Sequence, residues 1–490
     1  MSGELTMDSP RFVYLHLRPL AVVGATVFLA GCASLDPTAD FEEAMSLVEE
    51  RGGWRPDWNT PWTGEVAVWD GTSPLGVDQA VTIALRNNRD LRATLEAIAS
   101  ARADLVQSGL LPNPVLSLAY GPAILGDPGG ATISVSLLQQ FTDLWLMPAR
   151  KDAAASALRE QILGVSDTAL RLVADARNAH ASIVNSQRGI TLIHSHLDLV
   201  GRSIEFTRQR IAAGEASQLD ENRLEQQRLG LQAELKQQEL ERDQAKRALL
   251  EVLGLADAAA DWQAVDVIPA LETWSDDLTE SDLIELATQL RLDVAAAQKA
   301  YETQLQELRV ANLGKIPEVG AGVAFDRDED GRRSFGPVLD VEIQIFDNKN
   351  ARIAKAASEL RRAQFEADAV LQRAVMETRT AWLGVRTNLD LVHFYRSEVI
   401  ALARQNFTLA GQAFKAGQID MTVVLETQRE VILAELQLNE LEGGAAISLI
   451  ELEYAAGGRL GHLETATGHE PPEAAATSLP GQSFSTGSSS

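Results

Sequence analysis

A long segment of the chain carries apolar residues at alternating steps of four and three residues. This seam begins at Leu158 and ends at Ile211, and only Ser186 and Thr207 interrupt it. A sustained period of about 3.5 residues is typical of coiled coils, in which helices form a left-handed supercoil. The seam therefore predicts a long helix that packs lengthwise against other helices.

Prolines and glycines set the limits of this helix. No proline falls between Pro148 and Pro269, so one helix fits between Pro148 and a glycine turn at Ala213-Gly214. At about 1.5 Å per residue it is roughly 95 Å long, well beyond an ordinary globular helix. A second helix returns to Leu255. A purely structural coiled coil remains an alternative at this point.

The charge of the chain limits its partners. Its 490 residues include 69 acidic and 43 basic side chains, for a net charge of −26. Nucleic acid and anionic membrane surfaces would repel such a chain, so we expect no nucleic-acid partner.

The N-terminal region has the layout of an export signal. Basic residues between Arg11 and Arg18 precede an apolar run, Leu20 to Ala30, that is too short to span a membrane. The run ends in Leu-Ala-Gly-Cys at Cys32, the only cysteine, and this tetrapeptide resembles the bacterial lipobox. The resemblance implies that residues 1–31 are a lipoprotein signal peptide and that Cys32 is acylated. Ala33 after the cysteine implies sorting to the outer membrane, where more than one acyl chain is a stable anchor.

Residues 32–74 are expected to form an irregular, extended segment behind the anchor. Pro56 and Pro61 interrupt the helical spacing of four tryptophans. We expect these indoles to pack against the body of the protein, and a place at the membrane interface is the alternative. The four residues are Trp54, Trp58, Trp62 and Trp69.

Two segments with β periodicity follow helical ones. A helix is predicted from Leu75 to Val106, ending before Gly109. The apolar period then changes to two, which predicts a β-hairpin over about 115–141. A second hairpin is predicted over about 319–346, with a charged loop from Asp326 to Arg333.

The return strand of the second hairpin alternates most clearly. Leu339, Val341, Ile343 and Ile345 alternate with Asp340, Glu342 and Gln344. In a membrane barrel the apolar face meets lipid and the polar face lines a lumen, whereas the alternative is a small soluble sheet. Four strands are too few to close a barrel, and open edges cannot face lipid. A membrane location therefore requires several chains, and three would supply twelve strands.

The chain contains an internal repeat. Matching residues lie 203 positions apart, as in Leu75/Leu278, Asp90/Asp293, Pro114/Pro317, Gly214/Gly417 and Gly254/Gly457. A second seam, rich in alanine, runs from Ile353 to Leu402. We divide the chain into repeat 1 (75–277), repeat 2 (278–464) and a tail (465–490) whose composition predicts disorder.

The ordered combination of these features resembles the TolC-like outer-membrane factors of bacterial efflux systems. The resemblance covers roughly residues 75–461 and includes Pro112-Asn113-Pro114 before the first hairpin. It implies a mainly α protein with membrane β-structure, built from two tandem repeats of long coiled-coil helices plus a β-hairpin. It further implies a homotrimer with a twelve-stranded β-barrel in the outer membrane, continued by an α-helical barrel in the periplasm of a Gram-negative bacterium.

The resemblance also implies roles for the two glycine turns. These tips would dock a periplasmic adaptor protein, which couples the channel to an inner-membrane pump. The docking residues would be Ala213, Gly214, Glu215, Ser217, Ala416, Gly417, Gln418 and Ile419.

Carboxylates near the tips are candidates for a constriction ring. They are Asp420, Glu426 and Asp220; Val423 stands where the family has a second acid, so a full double ring is not expected. A ring of acids would favour cations, and ordinary solvated helix charges are the equal alternative. In the barrel, Asp340, Glu342 and Gln344 would line the lumen.

The sequence shows no catalytic constellation. His194 and His196 are interpreted as solvated surface residues, since two positions apart they point away from each other. Gly121 to Gly130 lacks the Lys-Ser/Thr of a phosphate loop. We therefore expect no enzyme, no metal site and no cofactor other than the lipid on Cys32.

The predicted function is the passive exit channel of a tripartite efflux pump. A periplasmic coiled-coil scaffold that does not conduct, or the outer-membrane component of type I protein secretion, are the alternatives. The substrate, whether drug, metal ion or protein, stays open.

Overall fold

The computed structural model describes residues 34–59, 69–122, 130–255, 261–267 and 278–460. The predictions for the signal peptide, Cys32, Trp62, most of the linker around Pro269 and the tail lie outside these residues. The chain forms two compact units. The first includes Ala99–Leu158 and Glu302–Leu360; the second includes Thr38–Ile98, Arg159–Tyr301 and the described residues from Arg361 onward.

Helices dominate the described residues. They are α1 (Thr38–Gly52), α2 (Val77–Asn87), α3 (Arg89–Ser108), α4 (Asp143–Ala212), α5 (Gln218–Val252), α6 (Glu280–Leu290), α7 (Leu292–Leu313), α8 (Asn350–Phe394), α9 (Ile400–Lys415) and α10 (Met421–Ala455), with a π-helical turn Tyr395–Val399 between α8 and α9. The strands are β1 (Val115–Gly121), β2 (Thr132–Gln140), β3 (Val319–Arg327) and β4 (Arg333–Val341). Helix α6 begins 203 residues after α2, and α10 begins and ends 203 residues after α5.

The predicted long helix is present as α4, which has 70 residues. It begins at Asp143 rather than Pro148, because the carbonyls of Phe141 and Thr142 accept the first amides at 3.0 and 3.4 Å. Proline therefore falls inside the helix. No helix in the described part of the chain has an apolar run long enough to cross a membrane.

The seam of α4 is buried, as its period predicts. In the second unit, Ile193 and Val200 on α4 meet Leu224 on α5 and Leu425 and Ile432 on α10 in one apolar cluster. Ile193, Val200 and Leu224 are each fully buried. The long helices are thus held by lengthwise packing, the main source of helix stability in proteins.

Two predictions about the N-terminal half are wrong. The helix predicted from Leu75 to Val106 is two helices, because the Asn88 side chain accepts from the Leu91 amide at 2.9 Å and starts α3. The segment expected to be irregular contains α1, whose Ala44, Met45 and Val48 are buried. Three residues at helical spacing are too short a stripe to stand out from sequence alone.

The packing prediction for the tryptophans is confirmed where they are described. The Trp58 indole is buried and donates to the Leu85 carbonyl at 3.0 Å. Trp69 meets Trp262 edge to face, with ring centroids 5.2 Å apart. Trp58 thus anchors its connecting segment to α2, and Trp69 joins its own segment to the segment 261–267.

The first unit contains one antiparallel sheet in the order β1-β2-β3-β4. The two predicted hairpins are joined because β2 pairs with β3, for example Val135 with Phe325. Strand β4 differs from the prediction, since it runs from Arg333 to Val341 rather than to Ile345. Its partner β3 begins at Val319, opposite Val341, so later residues have no ladder to join. Asp326, Arg327 and Arg333, expected in the loop, lie in strands.

Candidate functional site

One face of the sheet is apolar and exposed. Neighbouring strands place Leu118, Val135, Phe325 and Phe335 in one row across it. Leu118 is 72% and Phe335 75% exposed. The same face carries Leu116, Tyr120, Ile133, Leu137, Val323, Pro337 and Leu339. Isolated exposed apolar residues are ordinary, but a continuous apolar face marks a lipid or protein contact.

The opposite face carries mostly small and polar side chains, apart from one apolar row of Val115, Leu138 and Val338. Its members include Ser117, Ser134, Ser136, Ala324, Asp326, Ser334, Gly336 and Asp340. The Ser134 hydroxyl donates to the Asp326 carboxylate across β2 and β3. This division into an apolar and a polar face fits a sheet with lipid on one side and water on the other.

The three predicted lumen residues do not form one strand face. Asp340 lies on the polar face of β4, opposite Gly320. Glu342 and Gln344 follow the end of β4; only the Glu342 amide extends the pairing, by donating to the Glu318 carbonyl at 2.9 Å. The Glu342 carboxylate accepts from Gln344 Nε2 at 3.3 Å and lies 3.4 Å from Lys349 Nζ. The prediction of a single alternating strand is wrong for Glu342 and Gln344.

The two predicted tips, in the second unit, have the same backbone geometry. Gly214 and Gly417 adopt φ of 77° and 69°. In each tip the residue after glycine donates to a carbonyl five positions earlier: Glu215 to Arg210 at 2.8 Å and Gln418 to Ala413 at 2.9 Å. Glycine is favoured in this Schellman turn because the positive φ penalises a Cβ.

The predicted docking residues form exposed turns. Ala213, Gly214, Glu215, Ser217, Ala416, Gly417 and Gln418 are exposed, and Ile419 is half-buried. Small, exposed residues at a sharp turn permit close approach by another backbone.

Two contacts join the tip of the helical hairpin α4–α5 to the tip of the helical hairpin α9–α10. Neither contact was predicted from the sequence. The Arg210 guanidinium lies 4.6 Å from the centre of the Phe414 ring. Arg223 Nη1 on α5 donates to Thr422 Oγ1 on α10 at 2.6 Å. Both arginines are close to the glycine turns in sequence, but only the fold shows which residue each one meets.

The three constriction candidates have different surroundings. Asp220 forms a capping box, accepting from the Ser217 amide at 3.1 Å and hydroxyl at 2.7 Å. Its carboxylate therefore stabilises the start of α5. Asp420 precedes α10 without a side-chain cap bond and is exposed, as is Glu426. Asp420 and Glu426 thus have carboxylates that reach solvent.

The prediction of two solvated histidines is wrong for His196. His194 is exposed, whereas His196 is 4% exposed, with Nε2 3.4 Å from a Glu435 carboxylate oxygen that belongs to α10. Burial lowers the pKa of His196, and the Glu435 charge opposes that change. Packing of α10 against α4 covers this imidazole, which no local pattern on α4 indicates.

A cavity of about 550 Å³ lies beside the His196–Glu435 pair, and Glu435 is part of its lining. Its charged lining groups are paired: Arg188 with Asp266 and Arg404 with Glu435, both at 2.6 Å. Glu442, also in the lining, pairs with Arg396 at 2.6 Å. The cavity is therefore a polar cleft without a free charge in its lining, and no metal-binding cluster occurs among the described residues.

A second charged cluster, with Arg291 buried and Arg171 exposed, surrounds Tyr454 near the end of α10. The Arg171 and Arg291 guanidinium carbons lie 5.0 and 5.6 Å from its ring centre. Its hydroxyl lies 3.4 Å from Asp167 Oδ2. The pKa of Asp167 is raised to about 6, mainly because the carboxyl is buried; the nearby Asp293 charge adds to this rise and Arg291 opposes it. This cluster ties α4, α7 and α10 together by charge as well as by apolar contact.

Comparisons with known proteins agree with this architecture. The family model described as outer membrane efflux protein matches residues 283–458. The cobalt-zinc-cadmium resistance protein CzcC of Cupriavidus metallidurans is 22% identical over 380 residues, covering 75% of this chain and 86% of that protein. Outer membrane protein OprJ of Pseudomonas aeruginosa is 26% identical over 416 residues, covering 77% and 83%.

A solved structure shows the same fold. The CmeC outer membrane channel of Campylobacter jejuni superposes with a TM-score of 0.65 at 15% identity, covering 78% of this chain and 85% of that one. The repeated hairpins, the family match over residues 283–458 and these relatives agree, and the chain is similar to outer-membrane efflux proteins.

Proposed function

We propose that this protein is the outer-membrane channel through which an efflux system releases its substrates. The observation that carries the proposal is the four-stranded sheet with one exposed apolar face and one mostly polar face, whose outer edges on β1 and β4 pair with no other described residues. Lipid tolerates such a sheet only if its edges are closed. Pairing of β4 in one copy with β1 in the next closes the edges, and three copies give a barrel of twelve strands.

The long helices fit a periplasmic duct that continues the proposed barrel. Helix α4 has 70 residues, and a straight helix of that length extends about 105 Å. Helices of this length from three copies, packed along their seams, would form a periplasmic duct. The exposed Gly214 and Gly417 turns would be the ends that a periplasmic adaptor protein contacts, and the adaptor would connect the duct to an inner-membrane pump.

The barrel is tested by oligomeric state and conductance together. We expect the purified full chain to be trimeric in detergent by native mass spectrometry and to form conducting pores in planar lipid bilayers. A monomer that gives no pores would refute the proposal.

Removing the lipid anchor distinguishes a channel from a scaffold that does not conduct. We propose that Cys32 carries the lipid and that the mature chain starts there. Metabolic labelling with an alkyne fatty acid should mark the wild type and not Cys32→Ser. A channel with the Cys32→Ser change stays in the membrane fraction after a carbonate wash, whereas a scaffold held only by its lipid becomes soluble.

The docking role of the tips has a matched control within the chain. Gly417→Val forces a side chain onto a residue with φ of 69°, whereas Gly411→Val lies within α9, where a Cβ meets nothing within 4 Å. We expect Gly417→Val to reduce crosslinking to the adaptor and efflux-dependent resistance while conductance in bilayers stays normal. Equal adaptor crosslinking in both variants would show that the Gly417 tip does not contact the adaptor.

A further inference from the structure

The apolar face of the sheet ends in two arginines at its loop end. Moving along β3 and β4 toward the loop, the directly opposed pairs are Ala321–Leu339, Val323–Pro337, Phe325–Phe335 and Arg327–Arg333. Because side chains alternate between faces along a strand, both arginines lie on the same face as the two phenylalanines. Both are exposed. Aliphatic residues thus give way to aromatic residues and then to arginine along one continuous face.

Two like charges directly opposite each other destabilise a sheet unless an anion lies between them. No described carboxylate forms an ion pair with Arg327 or Arg333, although Asp328, Glu329 and Asp330 lie in the same loop. The adjacent Asp326 points to the other face, where it accepts from Ser134. The arginine pair therefore has two guanidinium groups directed at whatever covers the apolar face.

The neighbours of the pair indicate the depth at which it lies. Phe325 and Phe335 come next on the face, and Tyr120 is opposite Ile133, which in turn is opposite Arg327. Aromatic residues concentrate where the hydrocarbon of a membrane meets the headgroups. Arginines one pair further out lie at the level of the lipid phosphates.

We propose that Arg327 and Arg333 together bind the phosphate of an anionic membrane lipid at the loop end of the apolar face. The Cβ atoms of opposed strand residues are about 5 Å apart, so two guanidinium forks can bracket one phosphate with several charge-assisted hydrogen bonds. The net charge of −26 does not oppose this binding, since charges beyond about 8 Å are screened at physiological salt. The inference rests on the proposed membrane location of the sheet.

The test uses the full chain in mild detergent, with diphosphoryl lipid A as the probe and native mass spectrometry as the readout. Arg327→Gln/Arg333→Gln is compared with Arg309→Gln/Arg202→Gln, which removes the same charge. Arg309 lies on α7 with a weak exposed ion pair to Asp152 at 3.8 Å, and Arg202 lies on α4 with an exposed ion pair to Asp198 at 2.5 Å. Each basic residue at an anionic membrane surface contributes roughly fivefold in affinity, so we expect about 30-fold weaker binding in the first variant and little change in the second.

Three further measurements make the result decisive. Arg327→Lys/Arg333→Lys should keep part of the affinity, because the charge stays while the bidentate geometry is lost. Dephosphorylated lipid A should bind all variants equally weakly, and millimolar inorganic phosphate should not displace the bound lipid. Equal lipid A affinity in both glutamine variants, or displacement by inorganic phosphate, would overturn the proposal.

Conductance separates this inference from the proposed function. If both glutamine variants form pores like the wild type and still bind lipid A equally, only the arginine site is wrong. If the wild type forms no pores and does not enter bilayers, the membrane location of the sheet fails, and the lipid site fails with it.

Discussion

The pairing of β2 with β3 joins the two hairpins into one sheet, and Gly322 makes this pairing testable. A Cβ at Gly322 would lie 2.0 Å from the Leu137 carbonyl oxygen and 2.9 Å from the Leu138 Cα, both backbone atoms. Such a contact needs at least about 3 Å, so Gly322→Ala must push the two strands apart by about 1 Å. Gly336→Ala in β4 of the same sheet is the matched control, because a Cβ there meets nothing within 4 Å.

The size of the effect follows from the hydrogen bonds that this displacement breaks. A shift of about 1 Å stretches a bond of about 2.9 Å beyond hydrogen-bond range. Losing about two ladder bonds at roughly 0.5–1.5 kcal/mol each costs about 1–3 kcal/mol per chain. In the proposed trimer the change would occur three times in one barrel.

The assay is thermal denaturation of the purified protein in detergent, followed by β-sheet circular dichroism and by pore formation in bilayers. We expect Gly322→Ala to melt at a lower temperature and to form fewer pores, while Gly336→Ala behaves like the wild type. If the two alanine variants melt together, β2 and β3 are not in the register described here.

Three other predictions test the helices and the polar face. Ile193→Ala should lower the free energy of unfolding by about 2–5 kcal/mol, followed by helical circular dichroism, whereas Leu229→Ala at an exposed position should change it by less than about 1 kcal/mol. Equal melting temperatures of the two variants would contradict the burial of the seam. The folded-state pKa of Asp167 is raised to about 6, mainly by burial, above an unfolded value of about 4, so the free energy of unfolding should fall as pH rises between these values. Asp167→Asn should make this pH dependence weaker. A wild-type melting temperature that does not fall over this range would contradict the burial of Asp167. Asp340→Asn should reduce cation preference, seen as a smaller reversal potential in a salt gradient, with Ser334→Ala unchanged; an unaltered potential in Asp340→Asn would place this carboxylate outside the lumen.

The local features of this fold can be predicted from sequence because their causes are local. The seam of α4 follows from helical periodicity, and the Gly214 and Gly417 turns follow from the backbone freedom of glycine. The existence of both hairpins follows from a period of two. Each of these signals is contained within a few neighbouring residues.

Some local predictions failed because one side chain or one partner decided the outcome. A single Asn88 side chain splits the helix predicted to run from Leu75 to Val106. The end of β4 at Val341 depends on where its partner β3 begins, although apolar alternation continues to Ile345. Alternation shows that a segment can be a strand, whereas the neighbouring strand determines how far it is one.

The repeat, the long helices and the positions of the turns can be predicted from the sequence, because they depend on periodicity and backbone preference along the chain. The pairing of β2 with β3, the burial of His196 beside Glu435 and the position of Arg327 opposite Arg333 on the apolar face are seen only in the folded chain. These pairings join residues that are far apart in sequence or separated by a loop. The register and packing that bring them together are set by the whole fold and not by the residues adjacent to them.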